Sequence, residues 1–288
     1  MVIAKLQGGL GNQMFQYAAA RGFAGDQEPV YLDHTALEKN STDNSFFTAR
    51  KYELGIFKNL KCQRAHAFPL NIIADKTFIF KLSRTIIPPR IIKDGTIPDD
   101  QFFHSKYNYL DGYFQSESYF KDKRALLLSE FSFPESDNII DSLKSRILST
   151  DNPVALHVRR GDYLKPDVAE FHGVLPLAYY QRAKKKIESV ITSAHYFVFS
   201  DDIEWCKHHF SFLGHTVTFV ATDTLRTWQD MYLMSLCRHH IIANSSYSWW
   251  SAWLNKTPEK IVIAPENWFA NESYNNQTDI VPRDWVKL

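Results

Sequence analysis

The 288-residue chain holds only three cysteines, Cys62, Cys206 and Cys237, widely spaced and without a C-x-x-C pair. An odd, scattered set excludes a disulfide framework and a zinc site of ordinary spacing, and it suits free thiols in a reducing compartment. An excess of charge of one sign is also lacking. The formal net charge is +1, which leaves no electrostatic footprint for nucleic acid, so a charged partner must be met by a local cluster. No stretch approaches the roughly 18 consecutive apolar residues of a membrane span. Met1 to Leu10 lacks the charged start and long apolar core of a signal peptide, so a cytoplasmic location is the default expectation. The triplets Asn40-Ser41-Thr42 and Asn271-Glu272-Ser273 then carry no glycosylation meaning. The sequence contains no D-x-D, no H-E-x-x-H, no G-x-G-x-x-G and no G-x-x-x-x-G-K-S/T. Nicotinamide and P-loop readings lose support. His208-His209 and His239-His240 have no metal-type spacing and read as ordinary surface or core groups. No metal and no cofactor are expected.

What is present is globular: 44% apolar and 23% charged residues, with aromatics at 15%. The length suggests about two domains. The most informative stretch runs from Pro153 to Tyr163. Val154, Ala155, Leu156 and Val158 make a short apolar run, enough for one buried strand. It ends on Arg159-Arg160-Gly161-Asp162, where Gly161 permits a sharp turn. Ligands of open α/β sheets bind at the carboxyl ends of strands, and a guanidinium fork matches phosphate. The plainer alternative is an Arg160–Asp162 surface pair closing the turn.

From Pro153 onward strands and helices alternate. Strands are expected over 154–158, 196–200, 216–220, 240–243 and 260–264, and helices over 176–193, about 203–210, 227–238 and 246–254. This is the pattern of a parallel, doubly wound domain. The first half opens with a strand over 2–6 and a helix over 14–24, joined by Gln7-Gly8-Gly9-Leu10-Gly11-Asn12-Gln13. Such a glycine-rich turn either brings backbone amides to an anion or is a turn with no ligand. Val30–Asp33 reads as a second strand and Tyr109–Tyr113 as a strand returning to the sheet. Ser118 and Ser136 read as helix caps. Residues 34–108, including Phe46-Phe47 and Phe78-Ile79-Phe80, show no clean period and read as short helices and loops. The domains are placed at 1–150 and 151–288.

Polar residues close each C-terminal strand. Phe199-Ser200-Asp201-Asp202 offers two carboxylates, one of which would cap the next helix. Asn244-Ser245-Ser246 stands at a strand end and helix start, where hydroxyls and free amides either make an anion site or simply cap the helix. Trp249, Trp250 and Trp253 read as core.

His157-x-Arg159-Arg160-x-Asp162 resembles the H-x-R-R-x-D signature of α1,2-, α1,6- and protein O-fucosyltransferases. G-G-L-G-N-Q-M-F-Q-Y-A and N-S-S-Y-S-W-W-S-A-W-L resemble two further signatures of the bacterial α1,2-fucosyltransferases, glycosyltransferase family 11. The resemblance extends to about Leu254. It implies an α/β fold of the GT-B type, two Rossmann-like domains facing a cleft, with the acceptor on the N-terminal side and GDP-fucose on the C-terminal side. The implied reaction moves L-fucose with inversion from GDP-β-L-fucose, a co-substrate, to the 2-hydroxyl of a terminal β-galactoside on an oligosaccharide. A glycolipid acceptor would bring the enzyme to the inner face of the membrane.

By resemblance Arg159 holds the donor diphosphate. Asn12, Gln13, His157, Ser200, Asn244, Ser245 and Ser246 would line the donor site. Asp202, with Asp201 as the alternative, would read the paired donor edge of guanine. Asp162 would touch the donor or orient an arginine. Transfer also needs a base for the acceptor hydroxyl, for which Glu170, His172 and Asp167 are the candidates, in that order. An α1,6 linkage and a non-catalytic sugar- or nucleotide-binding protein are the rival readings.

Overall fold

The computed structural model describes residues 1–39, 49–74, 85, 88–96, 105–134, 138–221, 227–275 and 279–288. Phe46-Phe47, Phe78-Ile79-Phe80, the Asn40-Ser41-Thr42 triplet and the Ser136 cap lie outside the described residues. The chain divides into two compact units, Met1–Pro134 and Glu135–Leu288.

The first unit is built on a parallel sheet of β1 (Val2–Lys5), β2 (Val30–Asp33), β3 (Cys62–Arg64), β4 (Arg90–Ile92) and β5 (Asn108–Leu110), ordered β3-β2-β1-β5-β4. Strands β3 and β4 fall where the sequence suggested only short helices and loops. At three residues each, they are too short to show a period. Described helices are α1 (Leu10–Phe23), α2 (Thr35–Lys39), α3 (Ala67–Ala74) and α4 (Arg124–Glu130). The expected Ser118 cap is a Ser116 cap, whose hydroxyl accepts from the Ser118 amide at a 3-10 turn.

Helix α1 starts at Leu10 rather than Met14, so Asn12 and Gln13 belong to its first turn. Ala18, Ala19 and Ala20 are fully buried: good helix formers without bulk, they suit a helix packed closely on its neighbours. Gly22 marks the tightest approach, since a Cβ there would lie 1.9 Å from the Tyr119 carbonyl oxygen.

The second unit holds a six-stranded sheet of β6 (Pro153–Val158), β7 (His195–Ser200), β8 (Val217–Phe219), β9 (His239–Ile241), β10 (Val262–Ala264) and β11 (Val286–Lys287), in the order β11-β10-β9-β6-β7-β8. All its pairings are parallel. Its helices are α5 (Asn138–Ser149), α6 (Pro166–His172), α7 (Leu177–Glu188), α8 (Ile203–His209), α9 (Thr227–Leu236), α10 (Ser246–Leu254) and α11 (Glu272–Asn275). The unit begins earlier than the expected boundary at 150, because α5 buries Ile140 and Ile147 among Phe197, Phe199, Leu233 and Met234.

Alternation along β6 sorts the core. Val154, Leu156 and Val158 pack with Tyr180, Ala183 and Ile187 of α7 on one face. Ala155 packs with the α5 and α9 side chains on the other. Trp249, Trp250 and Trp253 are buried, as expected of core residues.

The strand order matters for function. From β6 the chain proceeds outward through β7 and β8, then returns to the opposite side of β6 for β9. The sheet therefore reverses direction between β6 and β9, and ligands of such sheets bind in the crevice at the carboxyl ends of the strands flanking that point.

Candidate active site

Arg159 and Arg160 follow β6 directly, and the alternation of the strand sends their side chains to opposite sides. Arg159 is held between two carboxylates: Nη2 lies 2.6 Å from Asp162 Oδ1 and Nη1 lies 2.8 Å from Asp201 Oδ2. Its guanidinium also lies 5.6 Å from the Tyr163 ring centre. Two of the five N–H donors are thereby engaged, which leaves others for an anion. Arg160 turns to the α8 side. Its Nε lies 3.1 Å from Asp202 Oδ2, and its guanidinium stacks 3.8 Å over Trp205. The suggested Arg160–Asp162 turn pair is thus replaced by Arg159–Asp162 and Arg160–Asp202.

Asp201 does two things at once, because its Oδ1 accepts from the Arg160 backbone amide at 2.9 Å. This ties the ends of β6 and β7 together. Gly161 is required for it, since a Cβ there would stand 2.7 Å from Asp201 Oδ2. Asp202 caps α8 by accepting from the Trp205 amide, and its own amide donates to Ser200 Oγ at 2.9 Å. Both oxygens of Asp202 are therefore committed to structure. The base-reading role expected for Asp202 has a competitor in the helix cap, and Ser200 is a buried turn support.

His157 lies on the Arg159 side of β6. It is buried, and Nδ1 has no hydrogen-bond partner among the described residues. Burial pulls its pKa down to about 4, against the pull of Asp201 and with the push of Arg159, so the ring is neutral at pH 7. Its ring centre lies 6.0 Å from that of Tyr247. Ser245 caps α10 by accepting from the Tyr247 amide. Ser246 is half-buried.

Two residues expected at the donor also serve as internal staples. Gln13 is fully buried; its amide nitrogen donates to the Gly8 and Lys51 carbonyls, and its oxygen accepts from the Glu53 amide. Asn244 is also buried, and its amide nitrogen donates to the carbonyls of His172, Gly173 and Trp268. Asn12 is half-buried and accepts from Gln115 Nε2 at 2.7 Å.

Asp167, Glu170 and His172 lie on helix α6, not on the loop the sequence suggested; Pro166 at its first turn is the missed start signal. Asp167 and Glu170 are exposed. His172 stacks on Tyr163, with ring centres 4.8 Å apart and planes at 12°. Burial lowers its pKa, while Asp162 pulls it up and Arg159 pushes it down. Of the three candidate bases, His172 is the one joined through Tyr163 to Arg159.

The sequence reading missed Asp230. It sits in the first turn of α9, and the next amide, of Met231, donates to the Tyr247 hydroxyl at 2.9 Å. Its Oδ1 is buried without a partner among the described residues, and burial alone raises the pKa to about 7. A helix-start aspartate reads from sequence as a cap; nothing local announces an unsatisfied oxygen. Among the described residues no group of three or more His, Cys, Asp or Glu is arranged to hold a metal ion.

Two parallel-sheet units with helices, the second carrying an arginine at its topological switch point, have the architecture of glycosyltransferases of the GT-B class. The chain belongs to glycosyl transferase family 11, which it matches over residues 1–288. It is 33% identical to the O-antigen biosynthesis glycosyltransferase WbnK of Escherichia coli, over 98% of this chain and 99% of that protein. It is likewise 33% identical to an α1,2-colitosyltransferase of Escherichia coli, over 100% and 99%. Human galactoside α(1,2)-fucosyltransferase 1 is 28% identical over 50% of this chain and 42% of its own. Among solved structures, the fucosyltransferase NodZ from Bradyrhizobium superposes with a TM-score of 0.51 at 17% identity, over 91% of this chain and 94% of that one. That likeness supports the fold.

Gly161→Ala tests the clamp. The new methyl must push the Asp201 carboxylate off Arg159, and a misplacement of about 1 Å at a catalytic group can cost about 10²-fold. Turnover should fall by at least about tenfold with the melting temperature nearly unchanged. Wild-type turnover in this variant would show that Asp201 does not set the position of Arg159.

Proposed function

We propose that this enzyme transfers L-fucose from GDP-β-L-fucose to the 2-hydroxyl of a terminal β-galactoside, with inversion to an α1,2 link. The observation that carries the reading is the fixed guanidinium of Arg159 at the switch point, in a chain whose relatives include galactoside α1,2-fucosyltransferases. The C1–O bond to the β-phosphate breaks as the galactose oxygen bonds C1 from the opposite face. Positive charge develops on the sugar, as in other glycosyl transfers, while the diphosphate gains negative charge. Arg159 and the positive N-terminal end of α10 meet that negative charge without rearranging. Neutral His172 takes the hydroxyl proton. GDP leaves.

Asp230 is the carboxylate best suited to read the base. Guanine presents an N1–H and an exocyclic amine side by side, and a buried oxygen without a partner is stabilised by meeting such donors. Asp201 and Asp202 already answer to the two arginines and the α8 cap. A solved NodZ structure was co-crystallized with GDP, and this supports a guanine nucleotide here. The colitosyl relative gives a second reading of the donor sugar, since colitose is L-fucose without its 3-hydroxyl. No helix among the described residues is long and apolar enough to cross a membrane. We place the enzyme at the cytoplasmic face of the membrane, working on O-antigen-type oligosaccharide.

The direct test is incubation with GDP-fucose or GDP-colitose and a β-galactoside, with linkage analysis of the product. An α1,2-fucosyl galactoside is expected; transfer to N-acetylglucosamine alone, or an α1,6 link, would overturn the assignment.

Asp230→Asn should bind GDP more weakly and lose the preference for GDP over IDP, which lacks the exocyclic amine. Its effect on stability follows from the raised pKa. The folded value, about 7, lies above the ordinary 3.8, so the wild-type carboxyl contributes most at low pH and that contribution is lost as pH rises through about 7. The asparagine variant should therefore gain in melting temperature over wild type as pH is raised from 4 towards 8. An unchanged GDP/IDP ratio would remove Asp230 from base recognition.

A further inference from the structure

The short segment after α6 is tied to the segment after β10 by an unusual number of bonds. Asn244, buried to 1% exposure, donates to the carbonyls of His172, Gly173 and Trp268. The Ala270 amide donates to the Phe171 carbonyl at 3.0 Å. Asn275 closes the far end, its side chain both accepting from the Phe269 amide and donating to the Phe269 carbonyl at 2.8 Å. Gly173, at φ 72°, lets the two segments approach, with a Cβ there only 3.2 Å from that of Ala270. Surface connections are ordinarily among the more mobile parts of a fold. These two are held by the buried Asn244 and the half-buried Asn275.

What the staples hold in place is an aromatic surface. Phe171 and Tyr274 are 38% and 45% exposed, and their ring centres lie 5.1 Å apart in an edge-on arrangement backed by Phe269. Phe171 stands 4.9 Å from His172, which stacks on Tyr163, which lies against Arg159. The exposed rings thus continue, contact by contact, from the group that meets the donor diphosphate. Glu170, exposed and next in sequence, supplies a carboxylate for hydroxyls beside them.

We propose that Phe171 and Tyr274 form the platform that binds the acceptor saccharide. Galactose gathers several C–H bonds on one face because its 4-hydroxyl is axial, and that face packs against an aromatic ring while the ring edge stays wet. Rigid aromatic surface binds with little conformational cost, which is why holding it with buried staples is useful. Packing of the rings solely for local stability does not account for their exposure. This proposal rests on the reading of the enzyme as a transferase to a saccharide hydroxyl.

The test uses the full chain and the variants Phe171→Ala, Tyr274→Ala, Phe171→Leu and Phe171→Trp, each with a melting curve. Acceptor KM is measured with a lactose-type β-galactoside, and donor KM with acceptor-free release of GDP into water. The alanine variants and Phe171→Leu should raise acceptor KM about fivefold to tenfold, the loss of one aromatic contact. Donor KM and water release should stay within about twofold, and Phe171→Trp should retain acceptor binding; these are the behaviours of one lost aromatic contact and not of a disturbed donor site. Leucine serving as well as phenylalanine, or equal losses on donor and acceptor, would overturn the platform. Should wild-type enzyme release GDP but ignore β-galactosides, the acceptor assignment fails by itself. Saturation-transfer NMR with a panel of saccharides in the presence of GDP then decides the platform: signals lost in Phe171→Ala support it, and no saccharide binding to wild type rejects it.

Discussion

The structure depends on one arrangement: a guanidinium held between carboxylates at the ends of two adjacent parallel strands. Strands β6 and β7 run in register from Pro153↔His195 to Val158↔Ser200, so Arg159 and Asp201 emerge side by side. Each ion pair is about a quarter exposed, and partly exposed pairs contribute at most about 1 kcal/mol to stability. Their value is therefore orientation. In the proposed reaction, a guanidinium already fixed in place would meet the departing diphosphate without loss of rotamer freedom or movement of solvent. Gly161, Tyr163 and Asp162 all serve that position: the first by leaving room, the second by lying against the guanidinium, the third by closing the other side.

A second theme is the use of buried amides as staples. Gln13, Gln16 and Asn244 each tie backbone groups from distant or irregular segments. Gln16 accepts from the Gln7 amide and donates to the Gln7 carbonyl, fixing the entry into α1. Gln13 brings residues 51 and 53 onto the same glycine-rich turn. Backbone polar groups in such turns have no ladder partner, and leaving them buried and unpaired is costly. The amides satisfy them and confer order on these segments.

The legible parts of this sequence were those with local causes. Helix α10 was expected over 246–254 and is found there, because Ser245 caps it and tryptophans mark its buried face. Strand β6 declared itself by an apolar run, and Arg159 by standing at its end. Illegible parts depended on partners far along the chain. That Gln13 and Asn244 also staple backbone is seen only with Lys51 and Trp268 beside them. Asp201 and Asp202 cannot be told apart until their arginines are known, and Asp230 is conspicuous only because its buried Oδ1 meets no partner among the described residues. Three-residue strands such as β3 and β4 exist through pairing alone.

The central claim is that Arg159 stabilises charge on the departing diphosphate, and turnover of GDP-fucose by Arg159→Lys tests it most directly. Lysine keeps the charge but loses the planar fork, which is not a conservative change at such a site. Removing one preorganised donor from developing charge typically costs about 10²–10³ in rate. A fall of that size with an unchanged melting curve is the predicted result. Turnover within about threefold of wild type, where loss of a single donor should cost about a hundredfold or more, would place Arg159 outside the transition state and contradict the account.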